Sequence, residues 1–176
     1  MKSRTGFRWA SVGVLLVVLF VGLPGCAKAK ESGRYYSDNG YSIRLPEGWK
    51  QKPILKQADV SFVKVSDGQS AEIINVVSQA VRRGTAVVDV FRECLQKCEL
   101  NLPGFEKNEE GDAILDGQAA KWMVFSGRTG EDTVKFLAYV TVRGEFACVI
   151  TCSASADTFD QSRPQFEETA KSLRFE

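Results

Sequence analysis

The chain of 176 residues contains no histidine. That absence removes the commonest general base and the commonest metal ligand, and it excludes a Ser-His-Asp triad outright. There is no excess of either charge: 23 lysines and arginines stand against 22 acids, a formal net charge of +1. With no basic patch or stripe, nucleic acid is not an expected partner. Glycine-rich phosphate loops are absent, and no S-x-x-K signature appears. No pair of acids stands out for glycoside chemistry. Neither a catalytic group, a cofactor nor a metal is therefore expected, and the chain reads as a non-enzyme. Long apolar runs are missing as well. Val14 to Val21 is continuously apolar, well short of the about 20 residues that cross a bilayer.

That short run nevertheless has a meaning. Lys2, Arg4 and Arg8 precede it without an acid, and Pro24-Gly25 ends it. A basic head, an apolar stretch and small residues before a break form the pattern of a secretory signal peptide. Leu23-Pro24-Gly25-Cys26 resembles the lipobox of bacterial lipoproteins. The resemblance implies a signal peptide over 1–25, a diacylglyceryl group on Cys26, and a tether over 26–33. The alternative is an uncleaved N-terminal anchor. Acyl chains in the plural hold a protein stably on a membrane, so a lipid-anchored cell-envelope location is expected. Ala27 in place of Asp favours an outer-membrane destination facing the periplasm, where the cell has one.

About 150 residues remain, enough for one domain with its own core. Four further cysteines, Cys94, Cys98, Cys148 and Cys152, are even in number, which in an exported protein suggests disulfides. Cys94 and Cys98 fall one turn apart on an expected helix, roughly 6 Å along its axis. Cys148 and Cys152 fall on one face of an expected strand, roughly 13 Å apart, too far to bridge each other. Helix-to-strand bonds remain, closing a loop worth about 3–4 kcal/mol. Reduced, buried thiols and a four-thiolate metal site are the alternatives, the latter without the usual knuckle spacing.

The mature chain divides by period. Tyr35 to Leu45, around Ser37-Asp38-Asn39-Gly40, reads as a hairpin, and Ser61–Val65 and Ala71–Val81 read as strands. Val87, Val88, Phe91, Cys94, Leu95, Cys98 and Leu102 recur at helical spacing, with Thr85 as N-cap and Pro103-Gly104 as the stop. Ile114-Leu115 enters the hairpin signal Asp116-Gly117, and Glu109, Glu110 and Asp112 read as a solvated turn. Strands follow at Ala119–Ser126, Thr133–Arg143 and Phe146–Ser153. A closing helix is expected from Pro164, capped by Ser162, with Phe166, Ala170 and Leu173 as its buried stripe. Strands, a helix, four strands and a helix argue an α+β domain, an antiparallel β-sheet with helices packed on it.

So laid out, Tyr35-Tyr-Ser-Asp-Asn-Gly-Tyr-Ser-Ile-Arg-Leu-Pro-Glu-Gly-Trp49 and the ending Ser172-Leu-Arg-Phe175 resemble the PsbP-like family, which includes DcrB-like lipoproteins. The resemblance covers residues 34–176 as a single domain and implies an α/β/α sandwich. It further implies a protein that binds, stabilises or helps assemble a protein partner without catalysis. Tyr41 and Trp49 are candidates for lining a small-molecule groove, against a role as core plugs, which burial of such rings favours. A thiol- or metal-handling protein built on the four cysteines is the rival function, and a small-molecule-binding lipoprotein the third.

Overall fold

A computed structural model describes residues 31–64 and 71–176. The expected signal peptide, Cys26, the tether as far as residue 30 and the last residue of the expected Ser61–Val65 strand lie outside them. Glu31–Glu176 forms one compact unit.

Strands β1 (Arg34–Ser37) and β2 (Tyr41–Arg44) make the opening hairpin. After them come β3 (Lys50–Gln51), β4 (Val60–Lys64) and β5 (Glu72–Ala80), then helix α1 (Val87–Asn101). Strands β6 (Glu106–Leu115), β7 (Gln118–Thr129), β8 (Asp132–Arg143) and β9 (Phe146–Ser155) follow, then helix α2 (Phe159–Lys171) and β10 (Arg174–Phe175). One sheet of seven runs β3-β4-β5-β9-β8-β7-β6, and a second of three runs β1-β2-β10. Every pairing is antiparallel. The β6–β7 turn is Asp116-Gly117, with φ of 46° and 75°, the doubly left-handed geometry that a two-residue hairpin demands.

Alternation along the central strands sorts their side chains onto two faces. On one face Val124, Leu137, Tyr139, Cys148, Ile150 and Cys152 meet Phe159, Phe166 and Ala170 of α2 and Tyr41 and Ile43 of β2. On the other, Met123, Phe125, Ala138, Val140 and Ala147 meet Val90 and Phe91 of α1. Each large apolar side chain so buried contributes about 1.5–3 kcal/mol. The α+β class, with helices on an antiparallel sheet, is as expected.

Several local expectations are corrected. Glu109, Glu110 and Asp112 lie not in a turn but in β6, a ten-residue edge strand. Its charges hide the period while protecting the sheet edge. Helix α2 begins five residues before Pro164, anchored by the fully buried Phe159. Pro164 itself is exposed, where water can replace the hydrogen bond it cannot make. The helix ends at Lys171, and Arg174–Phe175 pairs with β2 instead of continuing it. Thr85 does not cap α1: its hydroxyl donates to the Arg82 carbonyl oxygen at 2.7 Å, and Ala86 holds the cap position. Val90, absent from the expected stripe, is buried, whereas Val88 is exposed.

Candidate functional site

The chain around Pro46-Glu47-Gly48 turns so that Trp49 drops onto α2. Its indole Nε1 donates to Gln165 Oε1 at 3.1 Å, and its ring meets Phe166 edge-on at 6.1 Å between centroids. Above it opens a cleft of about 660 Å³ whose walls include Ser32, Gly33, Leu45, Pro46 and Thr169. Glu47 and Glu168 also line it, and among the described residues neither makes an ion pair. Arg44 also lines the cleft but is engaged by Glu31 at 3.4 Å, so an apolar floor under two unpaired carboxylates suits an extended segment carrying cationic and apolar side chains. Trp49 thus serves as both plug and floor.

Tyr41, the other groove candidate, is elsewhere. Its ring is buried in the α2-side core, and its hydroxyl donates to Asp59 Oδ2 at 3.1 Å. The same oxygen accepts the Ser78 backbone N–H at 3.1 Å and the Ser78 hydroxyl at 2.6 Å. Tyr35 donates to the Asp59 carbonyl at 3.4 Å. Burial, and then the Asp59 charge, push the Tyr41 hydroxyl well above the ordinary phenol range, so it stays a proton donor. This knot ties the small sheet to the large one. Nothing in the sequence pointed to Asp59, which sits in a loop without period.

The four cysteines do not converge. Cys148 and Cys152 face α2, whereas Cys94 and Cys98 pack under α1 on the opposite face of the sheet. All four are free thiols. The expected helix-to-strand disulfide is therefore corrected: the sheet itself stands between the two pairs. The rival thiol or metal function loses its geometry with it, and no cluster of three metal-ligating side chains occurs among the described residues. Burial pushes every thiol up. Cys94 lies above its ordinary value, Cys98 rises to about 11, helped by its neighbour Cys94, and Cys148 rises to about 12, helped by the Asp59 charge. Protonated thiols are poor nucleophiles and poor ligands.

A clamp unforeseen in the sequence joins α2 to the β6 edge. Arg163 holds both Glu109 carboxylate oxygens at 2.9 Å, donates to Glu167 at 3.1 Å, and lies 5.7 Å from the Trp122 ring centroid. The hydrogen bonds from Arg163 hold Glu109 below the usual carboxylate range. Glu167 is also held low: burial acts to raise it, but hydrogen bonds from Lys171 and Arg163 outweigh that. The Arg163, Glu167, Lys171 spacing was the one available signal.

No protein-family description matches the sequence, and no curated protein matches it either. Solved structures do. Cyanobacterial PsbP (CyanoP) of Synechocystis sp. PCC 6803 superposes with a TM-score of 0.60 at 20% identity, over 88% of this chain and 99% of that one. The fold is PsbP-like. LpqN of Mycobacterium tuberculosis, described as involved in cell envelope biogenesis, matches at a TM-score of 0.63 and 15% identity, over 77% of this chain and 84% of its own. The Ran-binding protein Mog1p of Saccharomyces cerevisiae matches at 0.57 and 11%, over 81% and 94%. On the PsbP-like frame of this chain, the Trp49 cleft lies beside Ser32-Gly33, where the N-terminal segment enters the domain.

Proposed function

We propose that this chain is a non-catalytic, lipid-anchored cell-envelope protein whose PsbP-like domain holds a protein partner, with the cleft over Trp49 as the contact. The observation that carries the reading is the cleft itself: an apolar floor fixed by Trp49 and Gln165, with Glu47 and Glu168 unpaired at its walls. The partner segment it suits is extended and basic. Support comes from the structural relatives, one named for cell envelope biogenesis and one for binding a partner protein. Cys26 supplies the anchor, and Ala27 to Gly33 the tether.

A photo-crosslinking side chain at Glu47 tests the contact in intact cells. It should trap one discrete protein adduct, the same side chain at Glu131 should not, and Glu168→Lys should abolish the adduct. Equal trapping at both positions, or none at Glu47, refutes the cleft as the contact. Metabolic labelling with a fatty acid, lost in Cys26→Ser, tests the anchor separately.

A further inference from the structure

The antiparallel topology gathers one set of turns at one end of the sandwich. The β5–α1 loop, the β8–β9 turn, the β6–β7 turn and the β3–β4 loop all lie there, because Val81 N bonds Glu145 O and Asp59 N bonds Val76 O. Arg83 and Gly144 even line a common notch of about 330 Å³ with Gln118. The large apolar side chains that the fold leaves exposed are concentrated at this end. Ile54 and Leu55 are 50% and 42% exposed, Phe146 46%, and Ile114 67%, with Val88 beside them. Leu100 lies at the other end of α1.

The charges follow the same division. Lys52, Lys56, Arg82 and Arg83 make no ion pair among the described residues, while most other cations do. Arg143, at the same end, lies over the Phe175 ring at 5.3 Å. Of the acids at this end, Asp59, Asp116 and Glu176 are taken up by hydrogen bonds within the fold, which leaves Asp38 and Glu145 interspersed with the cations. The far end carries Glu131, Asp132, Asp157 and Asp160, and of its cations Lys64, Lys107 and Lys135 are held in ion pairs. Most of the protruding aliphatic and aromatic tips, and most of the cations without an ion-pair partner among the described residues, are thus gathered at the same end.

We propose that this end is a docking face for an anionic lipid-headgroup surface, with Ile54, Leu55 and Phe146 entering the interface and the loop cations meeting lipid phosphates. Apolar tips beside lysine and arginine are the chemistry of interfacial insertion, and the unpaired loop cations draw this end toward the field of such a surface. Chain length agrees, and this point alone rests on the anchoring reading above. A lipid on Cys26 would stand five residues before Glu31, a reach of up to about 18 Å. Strand β1 covers about 13 Å back to the Asp38–Gly40 turn at this end.

The domain Glu31–Glu176 carries both cores and suffices for the test, and it lacks Cys26, so the outcome is independent of lipidation. Its sedimentation is measured with vesicles of phosphatidylcholine alone and of equal parts phosphatidylcholine and phosphatidylglycerol. Binding to the anionic vesicles only, weakened by added salt, is expected. Each neutralised cation should cost about fivefold in affinity, so K52Q/K56Q/R82Q/R83Q should lose several hundredfold, about 5 to the fourth power. Arg128→Gln, at the far end, should change nothing, and I54S/L55S should weaken binding at fixed charge. No binding to the anionic vesicles, binding unchanged in the quadruple variant, or equal binding to neutral vesicles would overturn the proposal. So would a quadruple variant that instead loses a protein partner while the wild type ignores both vesicles.

Discussion

Thiol reactivity in the native domain should split into two classes, two residues in each, and the size of the split follows from the structure. Cys98 is the faster-class example. Its ordinary value of 9.0 is raised to about 11, so at pH 8 the thiolate fraction falls about a hundredfold. A more basic thiolate attacks faster, by about tenfold over that interval, which leaves Cys98 about tenfold slower than an unfolded thiol. Cys94, shifted the same way for the same reason, belongs with it. Cys148 and Cys152 are 1% and 0% exposed beneath α2 and react only when the domain opens. With even 5 kcal/mol of stability, opening slows them by more than about a thousandfold. Reaction with an aromatic disulfide, followed by mass, should therefore show two adducts forming early and two late, the late pair merging with the first in denaturant. A peptide map without reductant should contain no fragment joining Cys94 or Cys98 to Cys148 or Cys152. Four thiols of similar rate, or one such cross-linked fragment, would refute the placement of the two pairs on opposite faces.

Other substitutions probe the same architecture. A methyl group at Gly127, buried in β7, would collide with the Leu102 side chain that closes α1. Gly127→Ala should cost about 1–3 kcal/mol, read as a melting temperature lower by about 4–10 °C, and Leu102→Ala in addition should restore much of it. Phe166→Ala, at a fully buried site touching Trp49 and Phe159, should cost about 3–5 kcal/mol in denaturant titration; a loss below about 1 kcal/mol would contradict its place in that core. In Arg163→Gln, Glu109 should return toward 4.5 by NMR titration, and Glu167 only in part, because Lys171 still holds it. Both carboxyls are depressed in the folded state, so they stabilise it above 4.5 and lose that contribution as pH falls through their folded values. The stability gap between wild type and variant should accordingly shrink below about pH 4.5; a gap independent of pH would refute the clamp.

What could be read from the residues was whatever repeats along the chain. Helix α1, with its Pro103-Gly104 stop, follows from seven apolar positions at helical spacing, and β8 from alternation of Val134, Phe136, Ala138, Val140 and Val142. The Asp116-Gly117 hairpin follows from the only backbone shape those two residues suit so well. Strand β6 was legible only at Ile114-Leu115, because the membership of its earlier residues in the sheet is settled by pairing with β7, not by their own side chains, which are mostly charged or polar. Strand β10 is two residues long and exists only through β2. The cysteines show the same limit: spacing placed each pair correctly on helix and strand, but not on which side of the sheet the helix would lie. The Asp59 knot and the Arg163 clamp join residues 18 and 54 positions apart, and no local pattern announces such meetings. The cleft was half legible, since the Pro-x-Gly-Trp turn marked Trp49, whereas Gln165 and Glu168 arrive from α2.

The small sheet is built from both extremities of the domain, β2 lying between β1 and β10. Arg34 donates to the Ser172 carbonyl oxygen at 2.9 Å, and Ser42 to Glu176 at 2.7 Å, across 138 and 134 positions. A chain threaded amino end first, from a ribosome or through a translocation channel, cannot close this clasp until residues 172–176 have emerged. Until then Tyr41 and Ile43 lack the neighbours that cover them, and the opening hairpin waits as an unfinished edge. Acquisition of the native state is thereby timed to the emergence of Ser172–Glu176, and a bulky group placed directly after Glu176 would load the strand that completes the clasp.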